Sequence, residues 1–125
     1  MWVFLNDAFL SIVQPPAGDP KDRLLVRGRV KGDLERVFPK AKVSETANHD
    51  YRFRTLISRQ EVAIALTREV MALNYPNFKG SVIENDRHDA YMGCWSSMNG
   101  LQRSRLAPPK PAKGRIRPWI DDDLT

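Results

Sequence analysis

The stretch RLLVRGRV at residues 23–30 alternates between apolar and largely basic positions, which is the pattern of a half-buried β-strand. The stretch YRFRTLI at residues 51–57 alternates in the same way, with Tyr51 and Phe53 on its apolar side. Because a strand directs successive side chains to opposite faces, we expect the apolar sides to meet helices and the arginines to share the open face. The residues predicted on that open face are Arg27, Arg29, Arg52 and Arg54.

An apolar hairpin is predicted ahead of these strands, because WVFL and AFLSIV flank Asn6 and Asp7. Both turn residues can take the positive φ angles of a tight two-residue turn. Between the two arginine-bearing stretches, Gly32 and Asp33 can begin a short helix that Pro39 ends. The segment KVSET then indicates a further strand.

Two longer helices are predicted in the second half of the chain. The sequence SRQE at residues 58–61 is a capping box, typical of a helix start. The second helix is expected to begin near Asn85 or Asp86 and to end at Asn99 and Gly100. The buried stripe of the first helix is predicted from its spacing to be Val62, Leu66, Val70 and Leu73.

The order of these elements predicts an α+β fold, in which a β-hairpin precedes an antiparallel sheet with helices packed on one face. From residue 23 to residue 73 the order is β-α-β-β-α. This order fits a ferredoxin-like half, and it equally fits a plain antiparallel sheet with helices on one side.

The composition indicates one domain in a reducing compartment. A chain of 125 residues can bury a core without disulfides, and the single cysteine, Cys94, excludes an internal one. We therefore expect a cytoplasmic location. The apolar opening is interrupted by Asn6 and Asp7 and lacks a basic leader, so it is interpreted as structure and not as a signal or a membrane span.

Residues 1–100 are predicted to form the single α+β domain, and residues 101–125 a basic, proline-rich tail that is extended or disordered. The net charge of +5 makes an anionic partner a natural expectation. The tail is interpreted either as a solubilising segment or as a partner-binding arm. The candidate binding residues of that arm are Arg103, Arg105, Lys110, Lys113, Arg115, Arg117 and Trp119.

The loop NYPNFKG combines aromatic side chains with amide groups, a composition suited to recognition. Tyr75 and Phe78 are its candidate binding residues. Aromatic residues beside a proline also commonly cover the end of a core, and this is the favoured alternative for both.

The densest polar cluster is ENDRHDAY, which contains Asp86, His88, Asp89 and Tyr91. Its spacing matches no known nucleophile or metal-ligand motif, and helix-start chemistry explains Asp86. We therefore predict no catalytic residues, no metal site and no cofactor, with an enzyme that uses His88 as the remaining alternative.

The four strand arginines form a patch that could neutralise phosphates or bind carboxylates of a partner. Alternatively, they pair with local acids such as Glu45 or only solvate the open face. RNA-recognition sheets place aromatic side chains on the binding face, whereas Tyr51 and Phe53 are expected on the face opposite the arginines. This expectation weakens the RNA-reading hypothesis.

The combination of HDYRFRTLISRQEV, NYPNFKGSV and RHDAYMGCW resembles a pattern in short, uncharacterised bacterial proteins that begin with MW or MF and an apolar hairpin. The resemblance covers roughly residues 1–100, and residues 74–79 are its most recognisable part. It implies a small soluble α+β domain and supplies no activity.

These observations predict a small non-catalytic protein-binding module, and by analogy its size fits inhibitors or adaptors carried by phages or mobile elements. A nucleic-acid-binding accessory protein is the second hypothesis. A protein is the expected partner, nucleic acid the alternative, and no membrane is expected. A homo-oligomer is also compatible, because the WVFL strand would lie at a sheet edge.

Overall fold

The computed structural model of the protein describes residues 1–108. Five strands and four helices follow one another along this part of the chain. Their order is β1 (Trp2–Leu5), β2 (Ala8–Val13), β3 (Arg23–Gly28), α1 (Asp33–Val37), β4 (Ser44–Glu45), β5 (Phe53–Ser58), α2 (Arg59–Met71), α3 (Phe78–Ser81) and α4 (Asn85–Leu106).

The strands form one antiparallel sheet in the order β1-β2-β3-β5-β4. Strand β5 lies between β3 and β4 and is antiparallel to both, so β3 and β4 are parallel to each other. This split β-α-β arrangement is that of a ferredoxin-like half. Strand β2 of the hairpin occupies the other side of β3. The α+β fold predicted from the sequence is confirmed.

The core lies between the sheet and the helices on one face. The alternate residues Ala8, Leu10 and Ile12 of β2 are buried there, together with Val26 of β3. Helix α1 packs closely on this layer, since a Cβ atom at Gly28 would lie 3.2 Å from Cδ2 of Leu34. The remaining core side chains are Leu34, Val37, Phe38, Phe53, Ile57, Val62 and Ala65.

The hairpin turn forms where it was predicted, with Leu5 opposite Ala8, but its backbone differs from the prediction. Among the described residues other than glycine, positive φ occurs only at Asp22. Asn6 and Asp7 are therefore not in the left-handed region, and the turn is not of a primed type. Asp7 is instead held from outside the hairpin, since its Oδ2 accepts a hydrogen bond from Arg36 Nε at 2.7 Å.

Helix α2 begins as predicted, with the Ser58 side chain accepting a hydrogen bond from the Glu61 amide at 3.1 Å. The predicted stripe is correct at Val62 and wrong at Val70 and Leu73, which are exposed. Each four-residue step rotates by about 40° beyond a full turn, so Val70 lies roughly 80° from Val62 around the helix axis. The helix also ends at Met71, before Leu73.

The last helix begins at Asn85 as predicted but continues to Leu106, so the expected end at Asn99 and Gly100 is wrong. A glycine lowers helix propensity by about 1 kcal/mol and does not by itself stop a helix. Residues 101–106 of the predicted tail are consequently helical. The chain divides into two compact units after Met92, within this helix.

A buried ion pair connects α1 to the start of α4. Arg87 Nη1 and Nη2 donate to the two Asp33 carboxylate oxygens at 2.9 and 2.7 Å, and both side chains are less than one-tenth exposed. The Phe9 amide donates to the same carboxylate at 2.9 Å, and Arg87 Nε donates to Glu84 at 2.9 Å. The side-chain hydrogen bond to Asp33 is the main reason that the pKa of Arg87 is raised above its ordinary value.

Candidate functional site: a cationic groove beside strand β5

Arg27 and Arg29 converge on the ring of Tyr51. The guanidinium carbons of Arg27 and Arg29 lie 4.3 and 4.1 Å from the ring centroid, within the range of a cation–π interaction. Arg27 Nη2 also donates to Ser11 Oγ at 2.8 Å, and Arg29 Nη1 donates to the Asp50 carbonyl oxygen at 3.0 Å. Both arginines are thus engaged within the protein.

The prediction that Tyr51 lies on the face opposite the arginines is wrong. Strand β5 begins only at Phe53, so the alternation of side chains does not extend back to Tyr51, which lies in a bend. Phe53 does lie in the core, as predicted. The Tyr51 residue is only 4% exposed, so its ring is covered and is not available to stack on a nucleic-acid base.

Arg52 and Arg54 have different surroundings. Arg52 Nε donates to Glu45 at 2.7 Å in an exposed ion pair, as the local-acid alternative predicted. Arg54 lies directly opposite Arg27 in the sheet register. Within residues 1–108, the only hydrogen bond from its guanidinium is a 3.4 Å contact from Nε to the Tyr51 carbonyl oxygen. Of the four strand arginines, Arg54 therefore has the most capacity for a partner.

A groove of about 1000 Å³ lies beside Arg54. Residues 54–57 of β5 line one side, residues 37–42 and 44 line another, and α2 contributes residues 61, 64, 65 and 68. Arg23 and Leu25 of β3 complete the lining, and we call this feature the β5 groove. Since β4 pairs with β5 only at Phe53 and Arg54, the outer edge of β5 continues into the groove beyond the last paired residue.

Five cationic side chains and one acidic side chain, Glu61, line the β5 groove. Arg23 is paired with Asp19 at 2.9 Å, and its hydrogen bond is the largest reason that the pKa of Asp19 is lowered. Lys40, Lys42 and Arg68 form no ion pair with any other residue in the described part of the chain. The groove therefore carries positive charge that its described surroundings do not neutralise.

Apolar side chains are exposed alongside these cations. Leu56 of β5 is 40% exposed and Ile64 of α2 is 45% exposed, and both line the groove. Exposed aliphatic side chains next to cations provide a surface on which apolar contact and charge pairing can combine. The part of the open face around Arg27 and Arg29 lacks this combination, because the apolar ring beside these arginines, Tyr51, is covered.

The aromatic residues of NYPNFKG are engaged in packing. The Phe78 ring stacks on Tyr91 at a centroid distance of 5.7 Å, and the Tyr75 ring lies 6.0 Å from Phe78. Helix α3 begins within this segment, with the Asn77 side chain accepting from the Gly80 amide at 3.3 Å. Tyr75, Phe78 and Tyr91 therefore form a small aromatic cluster.

The remaining predicted site residues belong to the predicted tail. Arg103 and Arg105 are exposed in the last turn of α4. The predicted tail residues Lys110, Lys113, Arg115, Arg117 and Trp119 lie outside the described residues.

The ENDRHDAY cluster lies at the start of α4, with Glu84 just before the helix and the other residues in its first turns. Asp86 accepts a hydrogen bond from the Arg87 amide at 2.8 Å, which agrees with its role at the helix start. His88 Nδ1 lies 3.8 Å from Asp89 Oδ1, and His88 does not line the β5 groove. In residues 1–108, no group of three or more His, Cys, Asp or Glu side chains is placed to hold a metal ion.

No helix within residues 1–108 is long and apolar enough to cross a membrane.

The sequence did not reveal the β5 groove, because its cations come from four separate segments, the first of which is β3 with Arg23. Lys40 and Lys42 follow α1, Arg54 lies in β5 and Arg68 lies in α2. One indirect signal was available, the shortness of the KVSET segment. The strand that it forms has two residues, whereas β5 has six, so part of the β5 edge is left without a neighbouring strand.

Comparisons with known proteins found no relative: no protein-family model matches the chain, and no curated protein or solved structure matches it significantly.

Proposed function

We propose that this chain is a non-catalytic protein-binding module that uses the β5 groove to bind an acidic region of another protein. The observation that carries the proposal is the unneutralised set of Lys40, Lys42 and Arg68 beside Arg54, with Leu56 and Ile64 exposed among them. Electrostatic attraction raises the rate of association with the partner and favours acidic partners over others. The aliphatic side chains contribute apolar area that is removed from water on binding.

Within this proposal, the arginines of the open face play a smaller part than the sequence suggested. Arg52 and Arg29 form ion pairs with exposed carboxylates, and each exposed ion pair contributes only about 0–1 kcal/mol to the stability of the fold. A partner carboxylate can replace such a local acid at small cost. An inhibitor or adaptor in the cytoplasm is the biological role we propose, on the grounds of size and the single cysteine.

The test is an affinity pull-down from a lysate of the source organism, treated with nuclease and analysed by mass spectrometry. The variant Lys40→Glu with Lys42→Glu is compared with the control Lys21→Glu with Lys31→Glu, which makes the same charge change at exposed lysines outside the groove. We expect a defined protein that survives nuclease, is retained by the control and is lost by the groove variant.

Equal recovery of every protein by both variants would refute the proposal. Recovery that collapses on nuclease treatment would favour nucleic acid as the partner, and binding would then fall steeply with salt.

A further inference from the structure

We infer that the β5 groove binds an extended acidic segment of the partner protein, which adds as a strand along the outer edge of β5 next to Leu56. This inference rests on the proposed function and specifies the partner segment and its mode of binding. Addition of a strand to a sheet edge is a recurrent form of peptide recognition, in which backbone hydrogen bonds give affinity and side chains give specificity.

The backbone of Leu56 faces the groove. The Thr46 amide donates to the Arg52 carbonyl oxygen at 2.8 Å, which shows that the backbone groups of Arg52 point toward β4. In an antiparallel ladder, every second residue points the same way, so the N–H and C=O groups of Arg54 and Leu56 also point outward. The last β4 residue in the register is Ser44, opposite Arg54, and Leu56 lies beyond it.

Residues 38–42, which link α1 to β4, line the groove and do not pair with this part of β5 as a strand. The outer edge beside Leu56 therefore has no neighbouring strand among residues 1–108. Unpaired strand edges are places where another chain can pair.

The side chains beside this edge differ between the two faces of the sheet. Arg23, Leu25, Arg54 and Leu56 lie on the open face, because the register pairs Leu25 with Leu56 and every second residue shares a face. Ile64 and Ala65 of α2 line the opposite side of the groove. A bound strand would thus direct one set of alternate side chains toward Arg54 and the other set toward Ile64. Charge and burial fit best when the first set is acidic and the second aliphatic.

The lining favours a protein segment over a nucleic acid. Proteins that bind single strands without sequence preference stack bases on exposed aromatic side chains. Phe38 is the aromatic residue of the β5 groove lining, and it is buried at 7% exposure. The exposed apolar side chains that line the groove, Leu56 and Ile64, are aliphatic.

The test uses a fluorescein-labelled peptide of nine residues that alternates glutamate and valine, with affinity measured by fluorescence anisotropy. Two further peptides carry N-methyl groups, one on the glutamates and the other on the valines. The inferred strand runs antiparallel to β5, as all strand pairs of this sheet do. With the glutamates facing Arg54, their amides then point at β5. Methylation of the glutamates therefore removes the pairing donors, whereas methylation of the valines leaves these donors free. We expect the glutamate-methylated peptide to bind about tenfold or more weakly, as loss of backbone hydrogen bonds implies.

Protein variants provide the matched comparison on the other side of the interface. Lys40→Glu with Lys42→Glu is expected to weaken binding of the unmodified peptide by about tenfold or more, and Lys21→Glu with Lys31→Glu to leave it unchanged. In a nuclear magnetic resonance titration, the Leu56 amide should be among the signals that shift most. Far-ultraviolet circular dichroism checks that both variants remain folded.

Three results would overturn the inference. They are absence of binding by the glutamate–valine peptide, equal binding by both methylated peptides, and equally tight binding by an oligothymidine of nine nucleotides. If the groove variant nevertheless loses its cellular partner in the pull-down, the proposed function stands and only strand addition fails.

Discussion

Replacement of Arg87 by methionine should show how much the buried ion pair contributes to folding. Arg87 donates two hydrogen bonds to Asp33, and the two side chains are only 7% and 5% exposed. Arg87→Met keeps an apolar side chain of similar length but leaves the Asp33 carboxylate buried, with the Phe9 amide as its remaining donor. The variant also removes the hydrogen bond to Glu84, but that carboxylate is exposed, so the main cost is that of the uncompensated buried charge on Asp33.

Removal of one partner from a buried pair costs about 3–5 kcal/mol of unfolding free energy. A domain of this size has a total of roughly 5–15 kcal/mol, so the variant should be severely destabilised. At about 4 °C or more per kcal/mol, the expected loss in Tm is at least about 12 °C. The exposed pair Arg59–Asp22 provides the control, since Arg59→Met should cost less than about 1 kcal/mol.

Urea denaturation followed by far-ultraviolet circular dichroism gives the unfolding free energy of each variant. The double variant Asp33→Asn with Arg87→Met removes the stranded charge while keeping an oxygen that can accept from the Phe9 amide. It should be more stable than Arg87→Met alone. If Arg87→Met costs no more than Arg59→Met, the carboxylate is hydrated after the substitution and the reasoning is refuted.

Two further outcomes are expected. Gly28→Val should lower the unfolding free energy measured in urea by about 1–3 kcal/mol, because a Cβ atom at this position would already lie 3.2 Å from Leu34. An unchanged urea midpoint would contradict this and would show that α1 can shift to make room. The Tyr91 hydroxyl donates to the Leu5 and Ala8 carbonyl oxygens, and burial raises the pKa of Tyr91 above its ordinary value of 10.0. A pKa that is higher in the folded state than in the unfolded state contributes stability below pH 10, and this contribution is lost as the pH rises through the folded-state pKa. The unfolding free energy of Tyr91→Phe should therefore fall less between about pH 9 and 11 than that of the wild type. Equal losses in the two proteins would contradict this expectation.

The elements that the sequence predicted well are those specified by local patterns. Alternation at residues 23–30 and 51–57 identified β3 and β5, and the capping box identified the first residue of α2. The end of α4 was predicted less well, because Gly100 is compatible with both a helix end and a helix interior. Local signals are strongest where one residue type has one structural meaning.

Contacts between segments that are distant in the sequence were not predicted, both in the core and at the candidate site. Arg87 and Asp33 are 54 residues apart, and nothing in either local sequence pairs them. Tyr51 left the strand alternation because a bend precedes β5, which the period-two pattern alone does not reveal. Lys40, Lys42 and Arg68 meet only because α2 packs beside β5 and β4 ends early. Spatial convergence of this kind cannot be read from composition or spacing.

The position of β4 outside β5 also has a consequence for the order of folding. The hairpin and β2–β3 join neighbouring segments, whereas β3 and β5 pair residues about 25–35 positions apart, at a higher loop-closure cost. Strand β4 can take its place at the edge only once β5 is in position, and it contributes just two residues to the ladder. We therefore expect β4 to be the last strand to assemble and the first to detach in native-state fluctuations.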